Sequence, residues 1–303
     1  MLQSQRTASR TPAVARGFTL IEVLVVIAII SLLVSILLPS LRKARLMTKA
    51  VICSSNLRAI GQGWQVYAGD NHGVMVPGRL PVFREGGFRN KSNTYRISTG
   101  KKYRPRWPAI MQGAIGTPAI RHPKTGRSRQ EYASKLYTCP MVAEWTDERN
   151  SAYGYNYQFL GSHRLDEGRL RNLPVPLARI RAASKTVVVA DSLGSAAAFA
   201  TRQRMDYSNS TRDLQRKGNY AWLLDPPRLD ANSSRAGGTG APRSAPDMRH
   251  LGKANVLFAD GHVRPRTLAA MGYEVDDDGT VLEDGPEASN RFFSGSGQNV
   301  LPP

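Results

Sequence analysis

Two aspartates and two histidines between residues 191 and 262 are the residues best suited to metal or acid–base chemistry. Asp191 ends the apolar run Thr186-Val187-Val188-Val189-Ala190. His250 precedes a second run, ANVLFA at 254–259, and Asp260 and His262 follow that run. Strand ends and hairpins of one sheet can bring such groups together, and two imidazoles with two carboxylates suit a divalent cation. The competing reading is architectural: Asp260 satisfies a turn and His250 hydrogen-bonds across a hairpin. The architectural reading is the expectation, so no metal or other cofactor is assigned. A second acidic group, Asp276-Asp277-Asp278-Gly279 with Glu283 and Asp284, lacks the alternating ligands of a calcium loop and reads as a turn. No GxSxG, HExxH, P-loop or dinucleotide fingerprint occurs, so no enzyme activity is expected.

The elements that must position these residues follow from pattern. ANVLFA reads as a strand, Asp260-Gly261 as a two-residue hairpin turn, and His262-Val263-Arg264 as the start of the return strand. Residues 186–190 read as a buried strand. Tyr153, Tyr155, Tyr157 and Phe159 alternate with small or polar residues, which predicts a strand with one aromatic face. Residues 194–247 are rich in Ser, Gly, Asn and Arg and read as a long excursion. Near the N-terminus, Cys53, Leu57, Ile60, Trp64 and Tyr67 form one apolar stripe at helical spacing. Gly61, Gly63 and Gly69 weigh against that helix near its end.

The chain has 303 residues, with 42 Lys+Arg against 23 Asp+Glu and a net charge of +19. This composition excludes a polytopic membrane protein and a small disulfide scaffold. The charge is concentrated: residues 42–135 hold nineteen basic groups against Asp70, Glu85 and Glu131, whereas 273–290 hold seven acids and no base. Within 79–135, basic residues from Arg84 to Arg106 interleave with Phe83, Phe88, Tyr95, Tyr103 and Trp107. That pattern suits a polyanion such as single-stranded nucleic acid or an anionic envelope polymer; a solvated insertion loop is the plainer account.

Residues 18–38, FTLIEVLVVIAIISLLVSILL, are apolar but for Glu22. As a helix they extend about 30 Å, the thickness of a bilayer core. The apolar run is too long for a cleaved secretory signal and no small-x-small site follows it. The signature Gly17-Phe18-Thr19-Leu20-Ile21-Glu22, after a leader carrying Arg6, Arg10 and Arg16, resembles that of type IV prepilins and type II secretion pseudopilins. At the other end, His250, nine intervening residues and Asp260-Gly261 resemble the H-X9-DG processing-associated domain found with such N-termini.

The resemblance implies cleavage between Gly17 and Phe18 by prepilin peptidase, methylation of Phe18, and Glu22 as the assembly residue facing a neighbouring subunit's N-terminal amine. It implies an α+β, pilin-like fold. A leader (1–17) precedes a transmembrane helix (18–38) that continues past Pro39 through 68. A head (69–272) follows with the motif hairpin at 250–264, and then an acidic, flexible tail (273–303). The partners implied are the peptidase, other pilins or pseudopilins through the helix, and the inner membrane, with the head in the periplasm. Outside the cytoplasm, Cys53 and Cys139, the only cysteines, are a candidate disulfide. Closing a loop of that size would add about 4–5 kcal/mol and tie the helix to the head.

Overall fold

The computed structural model describes residues 19–78, 106–120, 132–142, 151–161, 174–207, 213–229 and 243–302, together with the backbone of short strands at 84–85, 88–89, 95–96, 102–103, 163–166 and 169–172. The leader, Gly17 and Phe18 lie outside these residues, as does most of the basic, aromatic stretch at 79–135. The chain divides into two compact units, residues 1–45 and 46–303.

The N-terminal unit contains the first half of helix α1 (Leu20–Asp70), which runs without interruption through Pro39. Its start is written in the sequence as T-x-x-E. Glu22 Oε2 accepts from the Thr19 backbone N–H (2.8 Å) and from the Thr19 hydroxyl (2.7 Å), while Thr19 Oγ1 accepts from Glu22 N–H (3.3 Å). This is a reciprocal capping box, which satisfies amides the helix cannot. The apolar side chains from Leu20 to Leu41 are exposed, and α1 is long and apolar enough to cross a membrane.

In the second unit, residues 46–70 of α1 pack on the head. Cys53, Leu57, Ile60, Trp64 and Ala68 are buried, as the stripe predicted, and Tyr67 is half-buried beside them. Burying a side chain such as Leu57 contributes about 2 kcal/mol. The glycines that weighed against the helix have a packing purpose. A Cβ on Gly61 would lie 2.7 Å from Leu257 Cδ1, and one on Gly63 would lie 2.1 Å from Ile115 Cγ1. Their absence of side chains lets the helix approach its neighbours closely. At its end, Gly73 in the left-handed region (φ 73°) donates to Ala68 O at 2.7 Å, a glycine stop.

The head is built on a five-stranded antiparallel sheet. We number its strands β1 (Tyr153–Tyr155), β2 (Val187–Gly194), β3 (Ala245–Pro246), β4 (Ala254–Phe258) and β5 (Val263–Arg266). The order is β5-β4-β2-β1, with β3 also on β2. β2 is buried along its whole length, which is why its run of valines does not alternate. Trp64 of α1 meets Tyr155 of β1 at 4.6 Å between ring centroids and Trp107 at 5.7 Å. The fold is therefore a long N-terminal helix followed by a mixed head with a small antiparallel sheet.

Several local expectations change. The aromatic alternation at 153–159 leaves the sheet after Tyr155 and becomes a π-helical turn at Tyr157–Gly161. Asn156 marks the exit: its N–H still donates to Val188 O of β2, and its buried side-chain amide donates to Val187 O and Phe293 O, all at 2.9 Å, before the chain turns away. The β4–β5 connection is a three-residue loop rather than a two-residue turn. Gly261 N–H donates to Phe258 O (2.9 Å), Phe258 N–H donates to His262 O (2.9 Å), and Gly261 takes φ 89°. The excursion after 194 contributes Ala221, Trp222, Leu223 and Leu224 to the core. At the end of the basic, aromatic stretch, Arg106 and Trp107 are buried, with the Arg106 guanidinium 4.6 Å over the Trp222 ring.

The tail expected to be flexible is docked. Val281, Asn290 and Phe293 are buried, and Val281 N–H donates to Ala197 O. The acidic run closes a turn on itself, with Thr280 N–H donating to Asp278 Oδ1 at 2.8 Å. Asn290 anchors the end: its Oδ1 accepts from Arg228 N–H (2.8 Å), and its Nδ2 donates to Arg228 O (2.8 Å) and Val300 O (2.9 Å). Asn290→Ala should cost about 2–3 kcal/mol by leaving buried groups unpaired. Limited proteolysis should then cut first between 284 and 302; an unchanged cleavage pattern and melting temperature would refute this anchoring.

Candidate metal centre

Four elements of the second unit deliver one side chain each to a single point. Cys53 comes from α1, and Cys139 from the turn after the 3-10 helix Lys135–Tyr137. Asp191 sits in the middle of β2, and His250 in the tight turn before β4. One ligand atom from each lies within 4.8 Å of every other. Cys53 and Asp191 are 0 % exposed, Cys139 2 % and His250 5 %, so the cluster is closed to solvent.

The local sequence explains each placement. The Cys139 loop is held to α1 by Asn56, whose Nδ2 donates to Thr138 O at 3.0 Å. Tyr153 Oη donates to the same carbonyl at 3.2 Å and stands 3.3 Å from Cys53 Sγ. Asp191 is opposite Tyr153 in the β1–β2 register, and Asn255 N–H donates to its Oδ2 at 2.7 Å. His250 and Lys253 exchange both backbone hydrogen bonds, at 3.0 and 3.1 Å. Leu251 (φ 53°) and Gly252 (φ 78°) fill the turn between them. A leucine in the left-handed region is uncommon and carries strain, so the surrounding structure must impose that turn.

The polar contacts converge. Cys53 Sγ donates to Asp191 Oδ1 at 3.2 Å, Cys139 Sγ meets His250 Nε2 at 3.3 Å, and His250 Nε2 is 3.4 Å from Asp191 Oδ2. Arg249 supplies a buried positive charge. Its Nε lies 3.2 Å from Asp247 Oδ2 and 3.9 Å from Asp191 Oδ1, and its Nη2 donates to Ala152 O (3.1 Å) and Ser192 O (2.6 Å). Tyr207 hydrogen-bonds Asp247 behind it.

This setting polarises the two thiols in opposite directions. Burial, together with the hydrogen bond to Cys139 and the charge of Asp191, pushes Cys53 well above the usual thiol range. The hydrogen bond from Cys53, with those of His250 and the charge of Arg249, pulls Cys139 down to about 5. Burial opposes a charge on His250, but hydrogen bonds to Asp191 and Cys139 outweigh it and hold the imidazole at about 9.

Two expectations are corrected here. Cys53 and Cys139 are free thiols rather than a disulfide, adjacent but engaged with Asp191 and His250. The expectation of no enzyme is also overturned: the buried Cys53, Cys139, Asp191 and His250 cluster has metal-coordinating capacity, and with it a capacity for metal chemistry. Of the four metal candidates read from sequence, Asp191 and His250 meet. Asp260 and His262 sit beyond the opposite end of β4, where His262 Nδ1 bonds Asp260 Oδ1 at 2.6 Å and the imidazole stacks on Phe258 with ring centroids 4.4 Å apart. Both cysteines escaped the metal reading because they lie far apart in the chain and form no C-x2-C pair. The only signal was that they are the sole cysteines.

Comparison with known families matches residues 13–38 to the prokaryotic N-terminal methylation motif. No curated protein and no solved structure matches the chain. The motif, the long apolar N-terminal helix and the head with its small antiparallel sheet are together consistent with a pilin-like, membrane-anchored protein.

Proposed function

We propose that the chain is a pseudopilin-like subunit of a type II secretion or type IV pilus-like assembly, matured by prepilin peptidase. The observation that carries this reading is the methylation motif at 13–38, joined to an apolar helix whose side chains from Leu20 to Leu41 are exposed among the described residues. Such a surface belongs either in lipid or against copies of itself. The leader stays in the cytoplasm, the head lies in the periplasm, and α1 passes from lipid into a fibre core on assembly. Glu22 is held by Thr19 within its own helix and sets register by attracting the amine of a neighbouring subunit, an attraction strengthened by low dielectric.

Mass spectrometry of the protein from its native membrane should find a chain that begins at Phe18, with a methylated amine. A mature chain that begins at Met1, or at any residue other than Phe18, would overturn the reading.

A further inference from the structure

We propose that Cys53, Cys139, Asp191 and His250 bind one zinc ion, which pins the portion of α1 after Leu46 to the head. This inference stands apart from the proposed fibre role and does not depend on it.

Geometry is the first support. In a tetrahedral zinc site with bonds of about 2.3 Å to sulfur and 2.0–2.1 Å to nitrogen and oxygen, neighbouring ligand atoms are roughly 3.3–3.8 Å apart. The edges here measure 3.2 Å for Cys53 Sγ–Asp191 Oδ1, 3.3 Å for Cys139 Sγ–His250 Nε2 and 3.4 Å for His250 Nε2–Asp191 Oδ2. Asp191 turns one oxygen to Cys53 and the other to His250, and one ligand atom from each of the four residues lies within 4.8 Å of the rest, so a small rotation of the carboxylate closes a four-atom shell of about zinc's size.

Chemistry is the second. Two thiolates with an imidazole and a carboxylate select a borderline-soft ion, whereas calcium, magnesium and manganese prefer oxygen alone. The histidine also faces the wrong way for a nucleophilic triad. In a triad the thiol and the carboxylate take opposite ring nitrogens; here both lie against Nε2. One nitrogen turned toward a thiol and a carboxylate at once is the arrangement of a metal ligand.

The surroundings supply the outer shell. Asn255 N–H and Arg249 hold Asp191, and Tyr153 Oη stands at Cys53 Sγ. Outer-shell bonds of this kind orient metal ligands. Zinc binding releases to solvent every proton on the ligand atoms: that of Cys53 and the one shared between Cys139 Sγ and His250 Nε2. The resulting charge of one dication, two thiolates and one carboxylate is −1, and the neighbouring Arg249 offsets it.

The test uses full-length protein purified in detergent under reducing conditions. Elemental analysis should give about one zinc per chain. Cys139→Ser and His250→Gln should each lower that content at least about ten-fold, while His262→Gln, at the far hairpin, keeps it. Because a ligand variant may fail to fold, the wild-type protein is also stripped and reloaded with cobalt(II). Intense visible bands of tetrahedral cobalt with thiolate charge transfer are expected, and hydrogen exchange in residues 50–64 should slow on reloading. Zinc below roughly a tenth of an equivalent with an octahedral cobalt spectrum overturns the proposal. So does a Cys53–Cys139 disulfide in metal-free protein isolated from its own membrane. A chain methylated at Phe18 but devoid of zinc would sink this inference alone, and a zinc-loaded chain that keeps its leader would sink only the fibre role.

Discussion

Gly194→Ala should abolish folding of the head. Gly194 ends β2 with φ 68° and ψ −153°, a region open almost only to glycine. A Cβ there would sit 2.0 Å from Asn219 O and 2.9 Å from Asn219 C. Those atoms are backbone and cannot rotate away. They are also engaged, because Ser195 N–H donates to Asn219 O at 2.7 Å and Gly218 N–H donates to Leu193 O at 2.9 Å. Relief of the clash would break the seam between β2 and the segment that carries Trp222 into the core. The cost should exceed about 4 kcal/mol, a large share of a domain's stability. Gly116→Ala is the matched control. It has a similar φ of 70° but meets nothing within 4 Å among the described residues, so it should cost only about 1–2 kcal/mol. Expression and thermal unfolding of both variants check the pair; a soluble Gly194→Ala protein with a melting temperature near that of Gly116→Ala would show the argument to be wrong.

The second large effect is expected at Glu22, and two variants separate its two roles. Glu22→Ala removes both the charge and the acceptor that closes the capping box with Thr19. Glu22→Gln removes the charge but leaves an acceptor at the same position, since glutamine also serves in such boxes. If the carboxylate attracts a neighbour's amine, both variants should insert in the membrane yet lose fibre incorporation, by about ten-fold or more. If the cap alone matters, Glu22→Gln should assemble normally. Membrane fractionation and cross-linking of sheared fibres read the two outcomes. Normal incorporation of Glu22→Gln would end the charge-pairing mechanism and leave the helix cap as the sole function of that residue.

What could be read in advance depended on the range over which each signal acts. The apolar run after Phe18, the α1 stripe and the valines of β2 are local patterns whose period or length declares the element, and the structure has them. The strand at Tyr153 gives way to a π-helical turn just past Asn156, whose side chain binds Phe293, a partner far along the chain that no local window contains. The docked C-terminus was missed for the same reason: its acids look solvated, while Asn290 and Phe293 do the holding. The site was half legible. Asp191 and His250 stood at recognisable strand positions, but nothing in sequence spacing linked them to Cys53 or Cys139. Cys53 arrives with the packing of α1 on the head, and Cys139 with a loop that Asn56 holds to α1. Asp260 and His262 were grouped with them because strand ends were treated as one place, when a strand has two.

That last point changes what the nine-residue interval between His250 and Asp260 means. It contains the turn at Leu251-Gly252, the whole of β4 and the entry to the hairpin loop. The interval thus separates His250 and Asp260 by the length of β4, and the two groups do not meet. Strand side chains alternate between faces, so one added or deleted residue would invert Asn255 and its neighbours relative to β2 and withdraw the amide that Asp191 accepts. This interval is a fixed span: one end is set by the buried cluster at His250 and the other by the Asp260–His262 contact at the hairpin.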